Sequence, residues 1–218
     1  RIRQDFPGWQ ARAETAAGSP AWVIVQRADE WRPDLVVVGS QGRSALGRAI
    51  FGSVSQQIVN EVRCSVRVGR APVGEAAPPR LLLCLDGSEY ASAALRAVAE
   101  RDWPAGTEAR LLTVVGPFSD MTVPEFQLDM ARAEALQGMA IPILDGKGLK
   151  LTTAAKDGDP KRVILEQAEE WKADCIFMGS RGLNLFHRFW LGSVSTAVVA
   201  RASCSVEIVR VREQEENS

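Results

Sequence analysis

"GSQGRSALGRAIFGSVSQQIV" (residues 39–59) and "GSRGLNLFHRFWLGSVSTAVV" (residues 179–199) are one phrase written twice, 140 residues apart. Both fit Gly-x2-Gly-x9-Gly-Ser, through Gly39, Gly42, Gly52 and Ser53 in the first copy and Gly179, Gly182, Gly192 and Ser193 in the second. At the same offset "GSPAWVIVQRADEWRPD" (18–34) parallels "GDPKRVILEQAEEWKAD" (158–174), and 14 of 37 positions agree between 34–70 and 174–210. The chain therefore reads as two tandem units, a partial one over 1–70 and a complete one over 80–211. "APVGEAAPP" (71–79) is the linker, and 212–218 is a polar tail that frays.

Outward from the phrase, the second unit alternates strands with helices. "LLLCL" (81–85) is a continuous apolar run suited to a strand covered on both faces. Ser88 is placed to cap a helix whose apolar stripe is Ala91, Ala94, Leu95 and Val98. "RLLTVV" is a second strand, 125–137 a helix, and "LKLTTAA" a third strand. Asp159-Pro160 is an N-cap with proline in the first helical position, matched by Ser19-Pro20 in the first unit. "CIFM" (175–178) is a fourth strand, a helix starts near Ser193, and "VEIVRV" alternates as a fifth. This order predicts an α/β fold built on a parallel sheet with helices on both faces, which binds ligands at the carboxyl ends of its strands. Asp86 and Gly179 both fall at such ends.

The 218 residues are 46% apolar with a formal net charge of −1, enough core for two small domains and no basic footprint for nucleic acid or an acidic membrane surface. No apolar run approaches the roughly 20 residues that span a bilayer. The four cysteines, Cys64, Cys84, Cys175 and Cys204, form no CxxC pair and sit among apolar residues, which points to reduced thiols in the cytoplasm.

The phrase is neither the GxGxxG dinucleotide fingerprint nor GxxxxGK[ST], since it has no lysine for a terminal phosphate. Its first two glycines permit positive φ and close backbone approach. The third sets Ser193, Val194 and Ser195, or Ser53, Val54 and Ser55, at a helix start whose N–H groups and dipole favour an anion. The same residues also serve, more plainly, as a turn and a helix cap. Within the nine-residue interval only Arg48 and Arg188 match, as phosphate contacts or as surface charges.

Strand-Asp-Gly-Ser ("LLLCLDGSEYA"), the glycine phrase and the closing "CSVEIVRV" together resemble the universal stress protein family, over the whole second unit. Ser205 and Ser65 depart from it, standing where the family commonly has proline. The resemblance implies a five-stranded parallel sheet of order 3-2-1-4-5 that binds ATP, with Mg2+ as a possible companion. It implies that Asp86 faces the ribose or a metal-bound phosphate and that Val114 offers backbone to adenine. Met178, Gly179 and Arg181 then line the pocket, while Gly182, Gly192, Ser193, Val194 and Ser195 hold the phosphates. The corresponding residues of the first unit are Gly39, Gly42, Gly52, Ser53, Val54 and Ser55. For Asp86 an Asx turn ahead of the helix is an equal alternative.

The first unit begins at the equivalent of Ile141 and so holds only the third, fourth and fifth strands. A third strand without the first two has no neighbour, so roughly 75 residues ahead of Arg1, or another chain, are expected to supply them. The first unit lacks the aspartate and the adenine-facing strand, leaving the second as the better ligand site. The expected function is that of an adenine-nucleotide-binding sensor or regulator of a stress response. Two alternatives stay open. Slow ATP hydrolysis would need a base, and the single histidine, His187, lies in the variable interval with no evident acid partner. An interaction module with an empty site would follow if Phe186, Phe189 and Trp190 fold into the pocket. Family members associate through the fifth strand, so the resemblance also implies pairing of the two units and a homodimer, with "VEIVRV" as an edge strand.

Overall fold

The computed structural model describes residues 4, 6–40, 51–70, 78–182 and 191–211. The first unit contributes α1 (Pro20–Trp31), β1 (Leu35–Gly39), α2 (Ser53–Glu61) and β2 (Ser65–Gly69). The second contributes β3 (Arg80–Cys84), α3 (Glu89–Ala99), β4 (Glu108–Val115), α4 (Val123–Leu144) and β5 (Lys150–Asp157). It continues with α5 (Pro160–Glu170), β6 (Cys175–Gly179), α6 (Ser193–Arg201) and β7 (Ser205–Val209).

Local chemistry sets the helix starts. Ser88 Oγ accepts the Ala91 N–H at 3.1 Å, and Asp159 Oδ1 accepts the Lys161 N–H at 3.0 Å ahead of Pro160. Each thereby satisfies an amide that the first helical turn leaves over. Ser19 occupies the matching cap position of α1 without a side-chain cap bond. Helix α4 runs to Leu144, well past the expected 125–137. Its start was legible in Thr122-x-x-Glu125, where the Glu125 carboxylate accepts both the Thr122 N–H at 2.8 Å and its hydroxyl at 2.7 Å.

The strands form one sheet of seven in the order β1-β2-β7-β6-β3-β4-β5. Inside the second unit the order is the expected 3-2-1-4-5, all parallel. The expected five-stranded sheet is present and continues into the first unit: β2 pairs antiparallel with β7, Val66 opposite Ile208 and Val68 opposite Val206. The resemblance implied pairing through the fifth strands, and β7, the expected edge of its own unit, lies between β6 and β2 in the joined sheet.

A third strand was also expected in the first unit, but residues 10–17, aligned with β5, form none. Lacking a second-strand neighbour, their backbone has no ladder to join. One apolar layer runs beneath the whole sheet, where α1, α2, α5 and α6 bury Ala21, Ile58, Ile164 and Val198 against Val66, Leu82, Ile176 and Val206. The opposite layer exists only over the second unit, where α3 and α4 bury Leu95, Val98 and Leu144 against Leu81, Leu83 and Phe177. Among the described residues nothing covers that face over β1, where Val37 is 62% exposed.

The seam is fastened at both ends by a reciprocal pair of arginines. Arg70 donates to Val199 O at 2.5 Å and Cys204 O at 3.1 Å, closing the end of α6. Arg210 does the same to Val59 O at 2.6 Å and Cys64 O at 3.2 Å, closing the end of α2. A cation at a helix carboxyl end meets the negative pole of the dipole and the last unpaired carbonyls. Burial lowers the Arg210 pKa to about 10, which leaves it charged at neutral pH. The two serines that replace family prolines belong to this fastening: Ser205 Oγ accepts the Arg70 N–H at 3.1 Å, and Ser65 Oγ accepts the Arg210 N–H at 3.2 Å.

Candidate functional site

A cavity of about 770 Å³ opens at the carboxyl ends of β3, β4 and β6, and α6 points its first turn into it. All ten sites expected in the second unit line it: Asp86, Val114, Met178, Gly179, Arg181, Gly182, Gly192, Ser193, Val194 and Ser195. Cys84, Leu85, Ala91, Leu112, Pro160, Ile164 and Leu191 complete the wall, making the inner part an apolar slot. Leu112 and Ile164 carry no motif; only the packing of α5 over β4 brings them together. Burial pushes the Cys84 thiol far above its usual range, so it stays protonated and acts as a small apolar wall group.

The polar end is built from backbone. Helix α6 has Gly192 at its cap with no side-chain cap bond, so its leading N–H groups have neither an intrahelical carbonyl nor a cap oxygen. The loop before it is pinned: Gly192 N–H donates to Ser180 O at 2.8 Å, and Ser180 N–H to Val209 O at 2.9 Å. Ser195 Oγ donates to Gly179 O at 3.0 Å and Ser180 O at 3.3 Å. Its hydroxyl proton is thus spent on holding the loop, leaving the Ser195 amide as the group available to a ligand.

The glycines act through space and not through torsion. Gly39, Gly179 and Gly182 are absent from the described glycines with left-handed backbone, which corrects the expected positive φ; Gly87, after Asp86, has φ 82°. A Cβ at Gly179 would stand 2.6 Å from the Tyr90 carbonyl carbon and 2.9 Å from the Ala91 nitrogen, so this glycine lets β6 meet α3. A Cβ at Gly182 would stand 2.7 Å from Asp86 Oδ2.

Asp86 fulfils the Asx-turn reading, with Oδ1 accepting the Ser88 N–H at 2.9 Å, while Oδ2 faces the Gly182 backbone across the cavity mouth. Ser88, which the motif reading treated only as a cap, also donates its hydroxyl to Arg181 O at 3.5 Å and so links the first-strand loop to the glycine loop. The Arg181 guanidinium lies 5.1 Å from the Tyr90 ring centroid, the distance of a cation–π contact. Among the described residues no group of three or more His, Cys, Asp or Glu side chains could hold a metal.

The first unit repeats the hydrogen bonds at the two ends of this segment. Gly52 N–H donates to Ser40 O at 2.9 Å and Ser55 Oγ to Gly39 O at 2.7 Å, as in the second unit, with Ser53 and Val54 opening α2. No residue of 1–70 corresponds to Asp86 or Val114. Gly42, Arg48, Phe186, His187, Arg188, Phe189 and Trp190 lie outside the described residues.

Comparison with known proteins agrees with this architecture. The model of the universal stress protein family matches the chain twice, at residues 3–70 and 79–210. A universal stress protein of Mycobacterium tuberculosis is 26% identical over 212 residues, 91% of this chain and 68% of that protein. One from Staphylococcus aureus is 33% identical over 146 residues, 61% of this chain and 84% of that one. The crystal structure of a universal stress protein from Archaeoglobus fulgidus superimposes with a TM-score of 0.64 at 24% identity, covering 92% of this chain and 70% of that one. A universal stress protein solved in complex with cAMP aligns at 22% identity with a TM-score of 0.52, over 63% of this chain and all of that one, and bears on the fold alone.

Proposed function

The chain belongs to the universal stress protein family, and on that premise we propose that residues 80–211 form an adenine-nucleotide-binding unit, with ATP as its ligand, that serves as a sensor or regulator in a stress response. The observation that carries this reading is the meeting, in one cavity of about 770 Å³, of an apolar slot with the uncapped amino end of α6. The volume lies within the range of small-molecule sites. Apolar walls suit a base, and a helix start with exposed amides suits phosphate without a lysine.

In this reading the slot lined by Val114, Leu112, Met178 and Ile164 takes adenine, with the Val114 backbone beside it. Asp86 Oδ2 accepts a ribose hydroxyl. The amides of Gly182, Ser193, Val194 and Ser195 receive the phosphates, with Gly192, whose own N–H is held by Ser180 O, leaving room beside them and Arg181 adding positive charge at the mouth. A lone carboxylate fits Mg2+ only as the ion is usually held beside nucleotides, by one or two carboxylates plus phosphate oxygens. Asp86 would be that carboxylate, and the ion would neutralise phosphate charge. The β2–β7 ladder supports pairing of the two units within one chain, and any dimer of whole chains is assigned to another surface. Among the described residues no helix is long and apolar enough to cross a membrane, and four free thiols suit a reducing cytoplasm.

Calorimetric titration of the whole chain with ATP, AMP and cAMP tests the proposal. Saturable ATP binding that is lost in Gly182→Val is expected. Absence of saturable binding refutes it and favours an interaction module, and release of ADP during the titration reassigns the protein as a slow hydrolase.

A further inference from the structure

The seam between the two units crosses itself at one rung, where Arg67 stands opposite Glu207. These are the same position in the two copies, 140 residues apart, and the only facing pair of the ladder that carries charge. Glu207 is fully buried, with its carboxylate accepting from Arg67 Nε at 2.8 Å and Nη2 at 2.7 Å. From the second unit, Arg101 adds Nη1 at 2.9 Å and Nη2 at 2.5 Å. Arg67 and Arg101 also flank the Phe177 ring, at 5.4 and 5.6 Å from its centroid.

We propose that Arg67 and Glu207 are the specificity-determining pair of this seam, so that each fifth-strand edge accepts the unlike unit and rejects its own kind. Everything else at the seam is indifferent to that choice. The flanking rungs are aliphatic, valine in β2 and valine or isoleucine in β7, and the fastening residues are the same in both copies, Ser65 with Arg70 and Ser205 with Arg210. A β7–β7 seam or a β2–β2 seam between two chains could form all of those contacts. Only the central rung differs in charge.

In β2–β2 pairing, two Arg67 side chains would face each other across directly opposed positions, whose Cβ atoms lie about 5 Å apart, with no carboxylate between them. In β7–β7 pairing two buried Glu207 carboxylates would meet there. Each could keep its own Arg101, but each would lose the cross-strand arginine that answers it now. Opposite charges at a strand rung stabilise and like charges destabilise, and burial enlarges both effects. The edge is therefore addressed to one partner chemistry: a fifth strand bearing the opposite charge at its centre, which in this protein is the other unit. Specificity of this kind rests on the penalty imposed on the wrong pairing.

Hydrogen exchange by mass spectrometry on the whole chain, read at segments 64–70 and 204–210, tests this with Arg67→Gln, Arg67→Glu and the swap Arg67→Glu/Glu207→Arg. Arg67→Gln leaves Glu207 its Arg101 contacts and should speed exchange at the seam by less than about 5-fold, whereas Arg67→Glu, which recreates the like-charge rung, should speed it by at least about 30-fold. The swap restores opposite signs and should regain a large part of that protection, limited by Arg101 beside position 207. If Arg67→Glu does not fold, a swap that does fold supports the proposal. The proposal is overturned if Arg67→Glu is no worse than Arg67→Gln, or if the swap is no better than Arg67→Glu.

Discussion

Two glycines of the same loop should fail in different ways when a methyl group is added. At Gly179 the new Cβ meets the Tyr90 carbonyl carbon and Cβ at 2.6 Å and the Ala91 nitrogen at 2.9 Å, all parts of α3 that no rotamer change can move. Relief requires β6 and α3 to separate, and overpacking of a rigid contact costs about 1–3 kcal/mol, here about 3. In a chain of this length that lowers Tm by about 6–12 °C. At Gly182 the clash among the described residues is with the tip of Asp86, at 2.7 Å from Oδ2 and 3.9 Å from Cγ. The carboxylate swings aside, weakening its bond from the Ser88 N–H, for about 1 kcal/mol or less. ATP affinity should nonetheless fall by about 10- to 100-fold, since a charge-assisted ribose contact is worth about 1.5–3 kcal/mol. Thermal melts of Gly179→Ala and Gly182→Ala, followed by calorimetry on each, read both effects. A Gly179→Ala variant melting within about 2 °C of the parent would refute the packing argument. A Gly182→Ala variant with unchanged affinity would refute the placing of Asp86 in the site.

Removing a fastening arginine should loosen the seam: Arg210→Ala frees the Val59 and Cys64 carbonyls, and urea unfolding should register a loss of about 2–3 kcal/mol. A loss under about 0.5 kcal/mol would show that the fastening adds nothing to stability. The thiols should be inert while the protein is folded, since burial pushes Cys175 up to about 12 and Cys204 up to about 11. Ellman's reagent should find all four on unfolding and almost none before, and rapid labelling of more than one thiol in the native chain would contradict the burial of Cys64, Cys175 and Cys204.

Much of this was readable along the chain because it is local. Capping by Ser88 and Asp159, the buried runs of β3 and β6, and the glycine phrase each depend on residues a few positions apart, and their periodicities encode them directly. The strand order came with the family resemblance, and the copied spacing identified equivalent elements of the first unit before any contact was known. What eluded linear reading is what depends on distant partners. Thr122-x-x-Glu125 was a local signal overlooked, but Glu207 was not: in "VEIVRV" it looks like the solvent-facing half of an alternating strand. Its burial follows from Arg67 and Arg101, which approach from separate elements.

The amino-acid order alone determined that this is a duplicated α/β chain whose strands end in a glycine loop and a bare helix start, because hydrophobic period and turn chemistry act over a few residues. Tertiary structure decided that the two units share one sheet, that Gly179 serves packing while Gly182 faces Asp86, and that Ser195 spends its hydroxyl on the loop. Each of those outcomes depends on which backbone arrives within 3 Å of which side chain, a distance set only when the strands have docked.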